Sequence, residues 1–168
     1  TLDLKLIVVE LNIYESIYKN AVTGTVVITD AKNQIGRLQI QGLERISFKL
    51  STPGADKKKR GNIDASVETG QPFYVFASRE FMRNIRTKVS QAYEGRLDEA
   101  VQSIFKDKDY LDSRKRLKFE PTGNADKIVI PNLRPFDAIQ MIAEKSLPEK
   151  SGGTGYFFYE TTKAYHFR

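Results

Sequence analysis

The clearest strand of the chain is GTVVITD, residues 24–30. Its Val, Ile and Thr residues favour extended backbone, and the turn-forming residues 30–33 close the run. A second stretch, RISFKL at residues 45–50, alternates apolar and polar side chains. Such a period of two is typical of a strand with one buried face. The two stretches predict that the first half of the chain consists of β-strands.

Further short strands are predicted on both sides of these stretches. Residues 4–9 have the β-branched composition of a buried strand, whereas residues 11–18 fit either a strand or a helical turn. The stretch PGADKKKRG, residues 53–61, is typical of a loop. The remaining predicted strands are residues 38–41, 63–67 and 73–77, the last two joined by a hairpin-like connection at residues 68–72. About five to seven short strands separated by turn residues indicate a small sandwich or barrel.

The second half of the chain mixes helices and strands. Ser78 is a predicted helix cap, followed by apolar residues at helical spacing: Phe81, Met82, Ile85 and Val89. Gly95 interrupts this pattern. After Gly95, helices are predicted at residues 97–105 and 136–146, the second preceded by Pro135. Strands are predicted at residues 117–120, 127–130, 156–160 and 165–167. Turns are predicted at residues 151–155 and 161–164. The predicted apolar stripes of these two helices are Leu97, Ala100, Val101, Ile104 and Phe105, and then Phe136, Ile139, Ile142 and Ala143. The fold class is therefore predicted to be α+β, with a domain boundary near residues 77–79.

The composition excludes several classes of function. The chain has no cysteine, so it has no disulfide, no thiolate catalysis and no cysteine-ligated zinc or iron–sulfur site. No apolar run approaches the roughly 18 residues of a membrane helix, and residues 6–9 are too few for a signal peptide. We therefore expect a soluble protein made in the cytoplasm. The chain starts at Thr1 without Met and ends in the strand-like run YHFR, residues 165–168, so we also expect it to continue beyond these ends.

The titratable residues form no recognisable catalytic motif. The single histidine, His166, lies in an alternating strand, where a role at the surface or an interface is expected. Gly152, Gly153 and Gly155 precede a strand, not the Lys-Ser/Thr pair and helix of a phosphate-binding loop. Four acidic residues are interpreted as solvated helical surface, with no two carboxylates held together: Asp98, Glu99, Asp107 and Asp109. We predict that the protein is not an enzyme and has no catalytic, cofactor-binding or metal-binding residues.

Basic residues suggest an alternative function. The formal net charge is +6, from 27 Lys and Arg and 21 Asp and Glu. The basic clusters are residues 57–60 (KKKR), residues 114–118 (RKRLK), and the group Arg79, Arg83, Arg86 and Lys88. With aromatic residues such as Phe81 and Tyr93 they could attract phosphates. No recognition motif accompanies the charge, so solvated surface remains open beside the alternative of a basic nucleic-acid-binding domain.

Longer stretches of the chain carry a resemblance to a known family. They are LNIYESIYKNAVTGTVVITDAKNQI (11–35) with IQGLERISFKLSTPG (40–54), SREFMRNIRTKVSQAYEGRLDEAVQSI (78–104), IVIPNLRPFDAIQMIAEKS (128–146) and GYFFYETTKAYHFR (155–168). In this order they resemble the tail-hub proteins of long-tailed, contractile bacteriophages. Those proteins form the trimeric ring between the tail tube and the central spike.

The resemblance implies a fold of two domains. Hub proteins of this family begin with a β-barrel related to the tail-tube protein, followed by an inserted α/β domain and a second barrel. Residues 1–77 correspond to the small barrel of the tail-tube type, and residues 78–168 to the mixed α/β inserted domain, incomplete at its C-terminal end. The second barrel has no counterpart in this sequence. The short segment between Gly54 and Phe73 also departs from the family pattern.

The resemblance further implies a structural role in the virion. The expected partners are further copies of the chain in a homotrimer, the tail-tube protein, the central spike protein and other baseplate proteins, with no membrane and no specific nucleic acid. Two barrels per subunit would give a trimer the pseudo-sixfold symmetry of a hexameric tube ring. The interface residues are not assigned by the resemblance. A cell-wall hydrolase is a third option, since some phage hubs are fused to such enzymes.

Overall fold

A computed structural model describes residues 7–29, 37, 44–49, 62–70, 73–150 and 155–168. The predicted features outside these residues are residues 4–6 of the first strand, the turn at 30–33 with the last residue of the strand 24–30, the strand at 38–41, residue 50 of the strand 45–50, the loop at 53–61 with its basic residues 57–60, residues 71–72 of the hairpin-like connection, and residues 151–154 of the glycine-rich turn.

Ten strands and three helices occur within the described residues. The strands are β1 (Val8–Tyr14), β2 (Thr23–Ile28), β3 (Arg45–Lys49), β4 (Asn62–Gly70), β5 (Phe73–Ser78), β6 (Val89–Arg96), β7 (Leu117–Phe119), β8 (Ala125–Leu133), β9 (Phe158–Glu160) and β10 (Tyr165–Phe167). The helices are α1 (Arg79–Arg86), α2 (Leu97–Lys106) and α3 (Pro135–Lys145). The chain divides into two compact units. The first is Thr1–Glu15 with Val22–Arg79, and the second is Ser16–Ala21 with Glu80–Arg168.

The first unit is a five-stranded antiparallel sheet. The strand order is β1-β2-β5-β4-β3, so β5 lies between two strands that are distant from each other in sequence. Val26 of β2 is paired with Leu11 on one side and Tyr74 on the other. These apolar residues share one face of the sheet, because side chains alternate along each strand. Phe76, 1% exposed, is packed on this face by partly buried Ile46 and Phe48, among others.

The second unit packs α2 and α3 with two small sheets. Helix α2 contacts β6 and α3, and α3 contacts β8 and β9. Strands β6 and β8 form an antiparallel ribbon, while the three-stranded sheet has the order β7-β10-β9, in which β7 and β10 are parallel. One core contains the buried apolar faces of both helices and four buried aromatic residues of the C-terminal segment: Tyr156, Phe158, Tyr165 and Phe167. This core includes the apolar stripes predicted for α2 and α3.

Helix α1 differs from its prediction. Its buried residues are Glu80 and Asn84, whereas the predicted stripe residue Ile85 is 45% exposed. Asn84 Oδ1 accepts a hydrogen bond of 2.7 Å from the backbone N–H of Phe136, in the first turn of α3. Phe81 of the predicted stripe is partly buried and packs against the hydrophobic core, so the inward side of α1 is mixed, with Glu80 and Asn84 buried beside it.

Strand β6 is not predicted from the sequence. Val89 lies four residues after Ile85, a spacing that also fits a helix. In the structure α1 ends at Arg86, and Val89 is a buried residue of the strand. Gly95, at the far end of β6, has φ +120°, a conformation that residues with a Cβ rarely adopt. The predicted interruption at Gly95 therefore marks the passage from β6 to α2.

The fold is mixed α/β, with mostly sheet and three helices in the described chain. The strands predicted at residues 24–30, 45–50, 63–67 and 73–77 are found as β2 to β5, but β2 ends at Ile28, and β4 extends to Gly70 into the predicted connection at residues 68–72. The ambiguous segment 11–18 begins as part of β1. Within the described residues the sheet of the first unit is open, with β1 and β3 at its edges, and no closed barrel is formed.

Candidate functional site

A buried ionic cluster joins three separate segments of the second unit. Lys115 Nζ lies 2.8 Å from Glu80 Oε2 and 2.5 Å from Glu160 Oε1. The side chains of the two glutamates are 2% and 3% exposed, and that of Lys115 is 27% exposed. Ser113 Oγ donates to Glu80 Oε1 at 2.7 Å, and the Tyr165 hydroxyl donates to Glu160 Oε2 at 3.0 Å. Each buried carboxylate therefore has both a cation and a hydroxyl donor.

The lysine of this cluster comes from the run RKRLK, which alternates between surface and interior. Arg114, Arg116 and Lys118 are exposed, while Lys115 and Leu117 are half-buried. Leu117 packs against the hydrophobic core, and Lys115 faces the two carboxylates. Alternation of this kind is the geometry of an extended chain. The predicted basic cluster is therefore divided between two environments.

Electrostatics keep Lys115 charged. Burial alone would lower its pKa, but the nearby charges of Glu160 and Glu80 outweigh this effect and raise the pKa above that of an ordinary lysine. The stabilisation is fully present below the ordinary lysine pKa of about 10.4, and is lost as pH rises through the higher pKa of the folded chain. At neutral pH the cluster is a fixed ion group that connects α1, residues 113–115 and β9.

The sequence marks no pair of carboxylates, but the structure brings Glu80 and Glu160 together on Lys115. The three residues come from segments separated by 35 and 45 positions in sequence. Nothing in the local pattern around any of them marks a common site. Only the tertiary fold brings them to one place.

A second buried carboxylate, Asp98, lies at the start of α2. It is 3% exposed, and its Oδ1 accepts hydrogen bonds from the Thr122 hydroxyl at 2.8 Å and the Thr122 backbone N–H at 3.3 Å. Arg96 Nε donates to the same oxygen at 3.1 Å. The interpretation of Asp98 as solvated surface is wrong, because Thr122 satisfies it in the interior. Glu99, Asp107 and Asp109 are exposed, as predicted.

The Asp98 carboxylate makes stability depend on acid pH. Burial raises its pKa, but hydrogen bonds from Thr122 and Arg96 outweigh burial and lower the pKa below its ordinary value. Its contribution is present above the ordinary carboxyl pKa of about 3.9 and is lost as pH falls through the lower pKa of the folded chain. We expect Asp98→Asn to be less stable than the wild type at pH 7, with the difference shrinking below about pH 4. Urea denaturation from pH 2.5 to 7 measures the difference in stability between the variant and the wild type, with Glu99→Gln as the exposed control. A difference that does not change with pH would contradict the assigned role of Asp98.

His166 lies in the interior and not at the surface. It is 7% exposed, and its ring stacks on Tyr159 with the centroids 4.8 Å apart and the planes inclined by 4°. Its Nε2 lies 3.3 Å from Thr161 Oγ1. The pairing of β9 with β10 places His166 opposite Tyr159, so the stack is a cross-strand pair. The expected surface position of His166 is therefore wrong, and these contacts indicate a structural role.

The basic residues of the predicted α1 group have unlike roles. Arg83 donates from Nε to the backbone oxygen of Tyr110 at 2.9 Å and from Nη2 to that of Lys108. It therefore holds a loop by backbone contacts. Arg86 and Lys88 are exposed. Arg83 therefore lies in a different environment from Arg86 and Lys88.

Exposed apolar residues occur in both units. In the first unit, Val9 and Tyr14 of the edge strand β1 are 67% and 51% exposed. In the second unit, Tyr18 and Phe157 are 78% and 47% exposed and contact each other edge to face, with centroids 6.0 Å apart. Ile17, beside Tyr18 in sequence, is 48% exposed. Contiguous exposed apolar groups often mark protein contacts, whereas isolated ones are ordinary.

In the described part of the chain, no three His, Asp or Glu side chains are grouped so that they could hold a metal ion. No helix of that part is long and apolar enough to span a bilayer. The C-terminal glycine of the predicted glycine-rich turn, Gly155, is exposed. Comparison with protein-family models and with curated proteins finds no match to the chain.

Proposed function

We propose that the chain is a structural subunit of a bacteriophage tail, in the baseplate hub ring that joins the tail tube to the central spike. Two features support this proposal. The resemblance to hub proteins extends over most of the sequence. The geometric observation that carries the proposal is the open five-stranded sheet of the first unit, whose edge strand β1 exposes apolar side chains.

An open edge of this kind suits assembly between subunits. Among the described strands, β1 is paired with β2 alone, so its other edge offers backbone N–H and C=O groups to a further strand. Monomeric proteins usually protect such an edge with charged residues or proline. β1, with the sequence VVELNIY, has one charged residue, Glu10, and exposes Val9 and Tyr14. In a closed trimer each such contact occurs three times, which multiplies a small contact energy.

A more specific fold is also proposed for each unit. We assign the antiparallel sheet of the first unit as the counterpart of the tail-tube barrel, left open at β1 and β3 among the described residues, and the second unit as the inserted α/β domain. The hairpin order of β3, β4 and β5 and the antiparallel pairing throughout support the first assignment. The combination of helices and strands in the second unit supports the second assignment.

Immunogold electron microscopy of the particles made by the native host tests this function. We expect an antibody raised against the chain to label one end of the tail, where tube and spike meet. Lysine at β1 should block the edge, since charge on an edge strand opposes pairing. Chains with Val9→Lys and Tyr14→Lys should therefore enter particles at least about tenfold less than the wild type.

The matched control is the pair Val129→Lys and Leu147→Lys, two residues of the second unit that are 60% and 58% exposed. This pair should enter particles normally. Gold along the whole tail, gold on no particle, or equal entry of the two double variants would overturn the proposal.

The alternative function is that of a basic nucleic-acid-binding domain. One observation favours it: Arg114, Arg116 and Lys118 are exposed along one segment, close to the 41%-exposed aromatic Phe119. Such a domain would bind DNA or RNA with an affinity that falls steeply with salt, because each phosphate contact releases counterions. A hub subunit should show little of this binding.

A further inference from the structure

We propose that the free edge of β7 binds an extended acidic peptide segment, which adds a strand to the sheet β7-β10-β9. The basic edge is defined here as Arg114, Arg116 and Lys118 together with the outer backbone of β7. The inference goes beyond the proposed tail function and does not depend on it. It names a ligand class for a surface of the second unit alone.

The backbone of β7 itself has one side without a strand partner among the described residues, whereas just beyond its C-terminal end the Pro121 carbonyl and the Gly123 N–H are bonded to Glu149 and Leu147. Toward β10, the carbonyl of Arg116 accepts from the Tyr165 N–H at 2.9 Å, and the Glu120 N–H donates to the Phe167 carbonyl at 2.8 Å. In a parallel ladder the residues that bond to a given neighbour alternate along the strand. The N–H and C=O groups of Leu117 and Phe119 therefore point away from β10. Addition of a strand at such an edge is a common mode of peptide recognition.

The side chains of this edge select the charge of the partner. Arg116 and Lys118 are both exposed and lie two residues apart, about 6.6 Å along an extended chain. Arg114, also exposed, lies two residues before Arg116, on the other side of a bend at Lys115. A paired strand repeats its side chains at this interval, so carboxylates at every second position would lie opposite the cations. Opposite charges facing each other across two strands are stabilising.

The opposite face of β7 selects apolar residues between the acidic ones. Leu117 packs against the hydrophobic core, and Phe119 is 41% exposed at the margin of that face. An apolar side chain of the added strand would cover the Phe119 ring. The expected ligand therefore alternates acidic and apolar residues in extended conformation.

Geometry favours a peptide over a nucleic acid at this edge. A nucleic acid would engage the cations but has no regular array of N–H and C=O groups to pair with Leu117 and Phe119. Lys115, the remaining cation of the run, is already paired with Glu80 and Glu160. The unpaired backbone and the surface charge together fit an acidic strand.

Binding of a labelled peptide Glu-Val-Glu-Val-Glu to the full chain tests the inference. Fluorescence anisotropy should show saturable binding, and backbone amide exchange at Leu117 and Phe119 should slow at least about tenfold. The amide of Lys118, which faces β10, should be unaffected. A Gln-Val-Gln-Val-Gln peptide tests the charge, and a Glu-Pro-Glu-Pro-Glu peptide tests the ladder, because proline has no N–H. Both should bind at least about tenfold more weakly.

Protein variants locate the site. Arg116→Ser with Lys118→Thr should weaken binding about tenfold or more. Arg86→Ser with Lys88→Thr makes the same change of charge at two exposed residues elsewhere, and should leave the affinity within about twofold. Equal weakening by the two pairs, equal binding of the glutamine peptide, or unchanged exchange at Leu117 and Phe119 would overturn the inference. Tighter binding of a labelled 12-nucleotide oligothymidylate than of the acidic peptide would overturn it in favour of a nucleic-acid site.

Discussion

Lys115→Met is expected to lower the free energy of unfolding by about 3–5 kcal/mol, which is typical when one partner of a buried ion pair is removed. Methionine fills much of the lysine volume but provides no charge. Glu80 and Glu160 would then remain almost fully buried without their common cation. Urea denaturation of the full chain at pH 7, followed by circular dichroism, measures the loss.

Two controls separate the ion cluster from a general effect of substitution. Lys118→Met changes an exposed lysine three residues away and should alter stability by less than about 0.5 kcal/mol. A triple variant, Lys115→Met with Glu80→Gln and Glu160→Gln, should recover most of the loss. Its amide oxygens still accept from Ser113 and Tyr165, and replacing all charges of a buried cluster is often neutral. Equal midpoints for Lys115→Met and Lys118→Met would contradict the assigned role of the cluster.

Gly24→Val is expected to destabilise the first unit by at least about 3 kcal/mol, the upper range for overpacking of a core. A Cβ at Gly24 would overlap the Phe76 ring at Cζ and the backbone oxygen of Asn12. The ring is buried and packed against Phe48, with the ring centroids 5.5 Å apart, so it has little room to move. The backbone oxygen belongs to β1, the strand paired with Gly24 itself.

The control for this glycine is Gly155→Val, because a Cβ at Gly155 meets no atom within 4 Å. It should change stability by less than about 0.5 kcal/mol. Gly24→Ala combined with Phe76→Leu removes only the overlap with the ring, and should stay destabilised because Asn12 is not relieved. Denaturation midpoints measure these effects, and limited proteolysis with mass spectrometry should place the new cleavage sites in residues 7–15 and 22–79. A wild-type midpoint for Gly24→Val would contradict the prediction and would show that the sheet can shift to accommodate the added side chain.

These effects also bear on assembly. The strand that Gly24 supports is β1, the edge strand of the proposed hub contact. Gly24→Val should therefore damage both the sheet and its edge, whereas lysine at exposed Val9 and Tyr14 should damage only the edge. Comparing the two changes distinguishes loss of fold from loss of contact.

Much of the local structure could be predicted from sequence. The period of two at residues 45–50 is found as β3, and the spacing of apolar residues in α2 and α3 matches their buried faces. The acidic residues Glu99, Asp107 and Asp109 are exposed as predicted. These features depend on neighbours a few positions away, so the pattern of the sequence contains the information needed.

Other features depended on residues far apart in the chain. Glu80 and Asn84 of α1 are buried because Glu80 meets Lys115 and Asn84 meets the backbone of Phe136. Asp98 is buried because Thr122, 24 positions away, supplies its hydrogen bonds. A charged residue has the same local pattern whether water or a distant partner satisfies it. Local sequence therefore determined the strands β2 to β5 and the helices α2 and α3, whereas the tertiary structure alone decided which polar groups are interior, because burying a charge is favourable only where the fold delivers its partner.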